Sequence, residues 1–175
     1  MPLFIRHMYV YIHNDNMTHR EYNMTVDQIG DALFAFALRF SGQRHLALDA
    51  VQDSLVVLWE HVDDVPYEKA RRYLFKVLNN KLIDIYRHCS HEQRMLSGMQ
   101  EESNLQAESF ELRDSIQVAL GQLPDLQRSL VILKEVEGFS CKEIAEMTDL
   151  NEQQVMTYLF RAKVKLRKQL EYIRK

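Results

Sequence analysis

Apolar residues recur at intervals of three and four along most of this chain, a spacing that lays them on one side of a helix. Ile29, Leu33, Phe36 and Phe40 form a first stripe, with Ala32, Ala35 and Ala37 small enough for close helix approach. Ser41-Gly42 breaks it, and Leu46, Ala50, Val51, Leu55, Leu58 and Trp59 form a second. Pro66 disfavours helix at Val65, after which Tyr73, Leu74, Val77, Leu78, Leu82, Ile83, Ile85 and Tyr86 give a broad third stripe. Five glycines and three prolines in 175 residues are too few for the turns of a strand-rich architecture. An all-α fold is expected. A hydrophobic share of 46% against 27% charged residues supports packed cores, and the length suits two small domains.

The pattern divides the chain into four parts. Residues 1–25 carry no sustained period and read as an N-terminal extension, with the helical pattern beginning near Val26. Their histidines, His7, His13 and His19, are six apart, which is no familiar ligand spacing. Residues 26–92 form the first helical domain, residues 93–110 a polar, flexible linker, and residues 111–175 the second domain. In that second domain Leu112, Ile116, Ala119, Leu120 and Leu123 precede Pro124. Asp125 is placed to cap the next stripe, Leu126, Leu130, Leu133 and Val136, which Gly138 ends.

The stretch after Gly138 is the most specific. Ser140-Cys141-Lys142-Glu143 has the form of a capping box opening a short helix. Ala145, Asp149 and Val155 then stand at helix-turn-helix spacing: a small residue where two helices cross, one that tolerates left-handed backbone at the turn, and a filler between them. The following helix buries Val155, Leu159, Ala162, Leu166, Leu170 and Ile173. Residues 161–175 add Arg161, Lys163, Lys165, Arg167, Lys168, Arg174 and Lys175 against Glu171 alone, a run suited to DNA phosphates.

The formal net charge of −3 conceals blocks of opposite sign. Residues 49–68 hold six acids and no Lys or Arg, whereas residues 69–87 hold six bases against Asp84. Asp49, Gln52 and Asp53 share one helix face at i, i+3 and i+4. Cys89 and Cys141 are too few for a disulfide framework, and His88-Cys89-Ser90-His91 lacks a fourth ligand, so no metal or cofactor is expected. No nucleophile-base set or phosphate-cradling Gly loop marks an enzyme. Without an apolar run of about 18 residues or a leader-like start, a cytoplasmic protein with no membrane insertion is expected.

Both halves resemble one family, the bacterial RNA polymerase sigma factors of the extracytoplasmic-function group. Ala47-Leu48-Asp49-Ala50-Val51-Gln52-Asp53-Ser54-Leu55 to Trp59 is similar to the family's AEDLVQETF…W, and Tyr73-Leu74-Phe75-Lys76-Val77-Leu78-Asn79-Asn80-Lys81-Leu82-Ile83-Asp84-Ile85-Tyr86-Arg87 to its WLxxIARNxxxDxxR. These resemble sigma region two. Leu123-Pro124, Val131-Ile132-Leu133, Gly138 to Glu146 and Val155 to Leu166 resemble region four, and the resemblance covers residues 26–175.

The resemblance implies a sigma factor that binds core RNA polymerase and directs promoter recognition, strand opening and transcription initiation. It places Asp49, Gln52 and Asp53 against the polymerase clamp, and Tyr73, Lys76, Asn80, Lys81, Asp84 and Arg87 at the downstream promoter element. For Asn80 and Asp84 an internal pair holding the helix is an equal reading. The upstream element would fall to Asn151, Gln153, Gln154, Thr157, Tyr158, Arg161 and Lys165. Where relatives commonly carry Thr-Val-Lys-Ser-Arg, this chain has Gln154-Val155-Met156-Thr157-Tyr158, lacking two bases. Core polymerase, promoter DNA and an anti-sigma factor are the implied partners. Residues 123–166 alone also resemble helix-turn-helix regulators of the two-component or quorum-sensing type, but residues 26–92 show no receiver strands.

Overall fold

The computed structural model describes residues 17–95 and 112–173. Seven α-helices are formed among the described residues: α1 His19–Ser41, α2 Arg44–Glu60, α3 Tyr67–Met95, α4 Leu112–Gly121, α5 Asp125–Val131, α6 Cys141–Thr148 and α7 Glu152–Ile173. A π-helical turn, Ile132–Val136, extends α5.

The first helix begins earlier than its aliphatic stripe. Thr18 accepts from the Glu21 N–H at 3.3 Å while its own N–H donates to Glu21 Oε2 at 2.7 Å, a complete capping box. Met17 is buried, with its N–H on Val65 O at 3.2 Å. The extension expected over residues 1–25 is therefore helix from His19 onward. Its first turns anchor through Tyr22, Thr25 and Met17 rather than through aliphatic residues, so the stripe was silent there. At the other boundary α3 runs through residues 93–95, where the linker was expected to start. His7, His13 and most of the linker lie outside the described residues.

Helices α1, α2 and α3 enclose Leu33, Phe36, Phe40, Ala47, Ala50, Leu58, Leu74, Phe75, Leu78 and Leu82, all fully buried. Gly42 closes α1 in the left-handed region (φ 67°), its N–H reaching Leu38 O at 2.8 Å. Trp59, expected in this core, is 47% exposed; it lies at the rim against the rings of His19 (4.8 Å) and Tyr22 (5.0 Å).

In the second domain α5 has no side-chain cap. Asp125 occupies its first turn and stands 3.5 Å from Arg128 instead of accepting backbone N–H groups. Ser140 and Glu143 form the expected capping box of α6, and the Ser140 hydrogen bonds hold the Glu143 carboxyl below the usual carboxylate range. Asp149 takes the left-handed turn (φ 54°), Ala145 is 8% exposed and Val155 fully buried. The helix-turn-helix is formed as its spacing indicated.

The two domains share one core. Phe75 of α3 meets Phe139 edge to face at 5.2 Å, and buried Asn79 pairs with buried Ser129. Arg128, 7% exposed, donates to Phe40 O (2.8 Å) at the end of α1 and to Leu120 O (3.0 Å), Gly121 O (3.0 Å) and Leu123 O (3.3 Å) at the end of α4.

Arg128→Ala is expected to cost about 3 kcal/mol, because buried helix-terminal carbonyls lose their donor; a urea midpoint unchanged from the parent would contradict it. The carboxyls of Glu21 and Glu143 are both held below their ordinary value of 4.5 by the capping hydrogen bonds. A lowered folded-state value contributes stability above the unfolded value and loses it as pH falls. Glu21→Gln/Glu143→Gln should therefore show a flatter loss of stability between about pH 5 and pH 3 than the parent, read from thermal midpoints across that range.

Candidate nucleic-acid and polymerase interfaces

Three surfaces carry the residues singled out by sequence. On α2 the turns beginning at Arg44 bury Ala47, Ala50, Val51, Ser54 and Leu58, which turns Asp49, Gln52 and Asp53 to solvent together. Val56, 54% exposed, lies one turn beyond Gln52, and Leu48, 43% exposed, borders Asp49. The acidic face is thus part apolar. The acid pattern alone did not indicate these two residues; only their failure to be buried does. Asp53 forms an ion pair with Lys81 of α3, so a residue expected at polymerase and one expected at DNA hold each other.

On α3 the expected DNA residues divide. Asn80, Asp84 and Arg87 are exposed, and Asp84 pairs with Arg87 at 3.7 Å, one turn away. Tyr73 is half-buried; burial, with the Asp64 carboxylate adding to it, raises its phenol above the ordinary range. Its neighbour is the His61 ring at 6.3 Å. Lys76 faces the second domain, 3.8 Å from Asp149 Oδ1, with its Nζ donating to Glu146 O at 3.4 Å.

Two further cations on this face were not singled out. Arg72 meets Glu146 at 2.5 Å. Arg71 donates to Glu137 O at 2.9 Å and lies 4.3 Å from the centre of the Phe139 ring. Burial raises the Glu137 carboxyl despite the opposing Arg71 and Arg39 charges, so desolvation outweighs attraction there. A basic residue one helical turn from an aromatic, as Arg71 is from Phe75, was the signal available in sequence.

The α7 residues also divide. Asn151 Oδ1 accepts from Gln154 N–H at 2.8 Å and Gln154 Oε1 from Asn151 N–H at 2.9 Å, a reciprocal cap that occupies both side chains at the helix start. Tyr158 packs against the core edge. Gln153, Arg161 and Lys165 are exposed, and Thr157 Oγ1 donates to Gln153 O at 2.7 Å. Phe160, Met156 and Val164 are exposed at 71%, 46% and 41%. Sequence reasoning assigned none of these three a contact, although Met156 stands where a base was expected.

Helices of this order, carrying an exposed acidic face on α2 and a basic helix-turn-helix at α6–α7, define a two-domain transcription factor. Residues 25–91 match the family profile described as Sigma-70 region 2, and residues 113–166 that described as Sigma-70, region 4. The ECF RNA polymerase sigma factor SigM of Bacillus subtilis is 26% identical over 153 residues, covering 82% of this chain and 94% of that one. The RNA polymerase sigma factor SigV of the same organism is 30% identical over 129 residues, covering 71% and 75%. Among solved structures, the sigma factor RpoE in complex with the anti-sigma factor NepR, from Bartonella quintana, is similar with a TM-score of 0.73 and 27% identity, over 87% of this chain and 98% of that one. The chain belongs to the sigma-70 family of RNA polymerase sigma factors, in its extracytoplasmic-function group.

Lys76→Ala and Arg72→Ala remove exposed ion pairs, and each should change stability by less than about 1 kcal/mol. Asn79→Ala leaves the buried Ser129 hydroxyl without its partner and should cost about 1–3 kcal/mol. Comparing the three unfolding curves checks the ranking.

Proposed function

We propose that the chain is a promoter-specificity subunit: it binds core RNA polymerase, positions its two domains on promoter DNA and supports strand opening without bond chemistry of its own. The observation that carries this reading is the ordered pair of sigma regions two and four on one chain. A helix-turn-helix regulator accounts for the second of these regions alone.

In this reading α2 docks on polymerase through Asp49 and Gln52, with Val56 and Leu48 adding apolar contact. Asp53 contributes after release from Lys81, or holds α2 against α3. The exposed residues Asn80, Asp84 and Arg87, with Tyr73 at the edge, address the downstream element. Arg71, Arg72 and Lys76 reach phosphate only by exchanging Glu137, Glu146 and Asp149 for it. α7 addresses the upstream element through Gln153, Thr157, Arg161 and Lys165. RpoE is recorded in complex with an anti-sigma factor, and a partner of that type is proposed for this chain as well. No helix among the described residues is long and apolar enough to cross a membrane, consistent with action on DNA in the cytoplasm.

Purified chain mixed with core polymerase should form a stable complex and start transcripts from a library of genomic fragments at sites the core alone ignores. Absence of both complex and new starts defeats the reading. Asp49→Lys should weaken the complex about tenfold, since like charge at a complementary interface is costly. Asp53→Lys breaks the Lys81 pair as well, so it should also lower the unfolding midpoint. A complex indifferent to Asp49→Lys would remove α2's acidic face from the interface.

A further inference from the structure

Resting on the reading of α7 as the helix that enters the upstream promoter groove, we propose that Met156 and Phe160 read the 5-methyl groups of thymine there. The upstream element of this chain then includes thymine, and Gln153 is placed to read an adenine. At 100° per residue, burial of Val155, Leu159 and Ala162 turns Gln153, Thr157, Phe160 and Val164 to the opposite side of α7, with Met156 beside them. Phe160, at 71%, is the most exposed large hydrophobic residue among those described. It stands one turn from Met156 and one from Val164.

The chemistry of that row matches a base edge in the major groove. Adenine presents an acceptor and a donor that suit the Gln153 amide, and thymine presents the one apolar group available there. The Thr157 hydroxyl is occupied by Gln153 O at 2.7 Å, which leaves its methyl as the remaining contact group. Arg161, Lys165, Arg167 and Lys168 border the row and are exposed, placing cations where phosphates flank a groove. A protein partner would need only the apolar stripe; an amide interleaved with apolar groups and bordered by cations suits base edges better.

The test uses holoenzyme assembled from the full chain and core polymerase. Upstream elements are selected from a randomised library by transcription, then resynthesised with deoxyuridine in place of each thymine, which removes only the methyl. The selected elements should contain thymine, and at one or two positions deoxyuridine should weaken promoter binding by about fourfold, the worth of one buried methyl. Phe160→Ala and Met156→Ala should weaken binding to the thymine promoter and abolish the difference between thymine and uracil. Elements without thymine, indifference of the parent to deoxyuridine, or variants that keep the full difference would overturn the inference. Variants unchanged on DNA but defective in binding a partner protein would also overturn it. Failure to form holoenzyme would overturn the functional reading along with it, whereas holoenzyme indifferent to the methyl overturns this inference alone.

Discussion

The last carbonyls of α1 have no partners within their own helix, and the way they are satisfied organises the molecule. Gln117 donates to Arg39 O at 2.9 Å, Arg128 to Phe40 O at 2.8 Å and the Tyr86 hydroxyl to Ser41 O at 2.7 Å. Two of those donors come from the second domain. Arg128 simultaneously serves the end of α4, so one cation sits at two helix C-termini, where backbone dipoles favour positive charge. Its plane also lies against the Phe40 and Tyr86 rings, at 5.1 and 5.5 Å. The contact between domains is therefore built from backbone valences of both, a stricter demand than apolar packing alone.

Around that centre the interface is graded. Phe75, Asn79, Ser129 and Phe139 are buried, and separating them exposes aromatic surface and breaks a buried hydrogen bond. The rim is ionic and partly exposed. Lys76 and Asp149 are 3.8 Å apart with the carboxylate 86% exposed, a geometry in which ion pairs contribute little. Rim cations can change partners at small cost, while the aromatic and carbonyl contacts cannot. The basic block at residues 69–87 is therefore less available than its charge suggests, because Arg71, Arg72, Lys76 and Lys81 already face acids.

This is also where sequence stopped being informative. Helix positions, the α6 capping box, the left-handed Asp149 and the burial of Val155 followed from local periodicity and turn chemistry, which act over a few residues. The early start of α1 was missed because Tyr22, Thr25 and Met17 do an aliphatic residue's work. Asp125 was misread as a cap because the same residue type is favoured in the first turn, where it faces Arg128. Partners such as Asp53–Lys81 and Asn79–Ser129 join residues far apart in sequence, and no local pattern encodes them.

The recognition helix shows the same limit in a sharper form. Asn151 and Gln154 look like adenine readers by residue type, yet their amides close the helix start on each other, and a contact to DNA would have to break that cap. Type alone cannot separate a capping amide from a reading amide, since both present the same donor and acceptor. Spacing can: an Asn followed three residues later by Gln at a helix start satisfies backbone groups reciprocally, as Ser140 and Glu143 do one helix earlier. Gln153, one residue away and outward, has no such partner in register. The side chains left for base edges on α7 are therefore those that the caps and the core do not claim, and that remainder sets Met156, Phe160 and Val164 among Gln153 and the exposed cations.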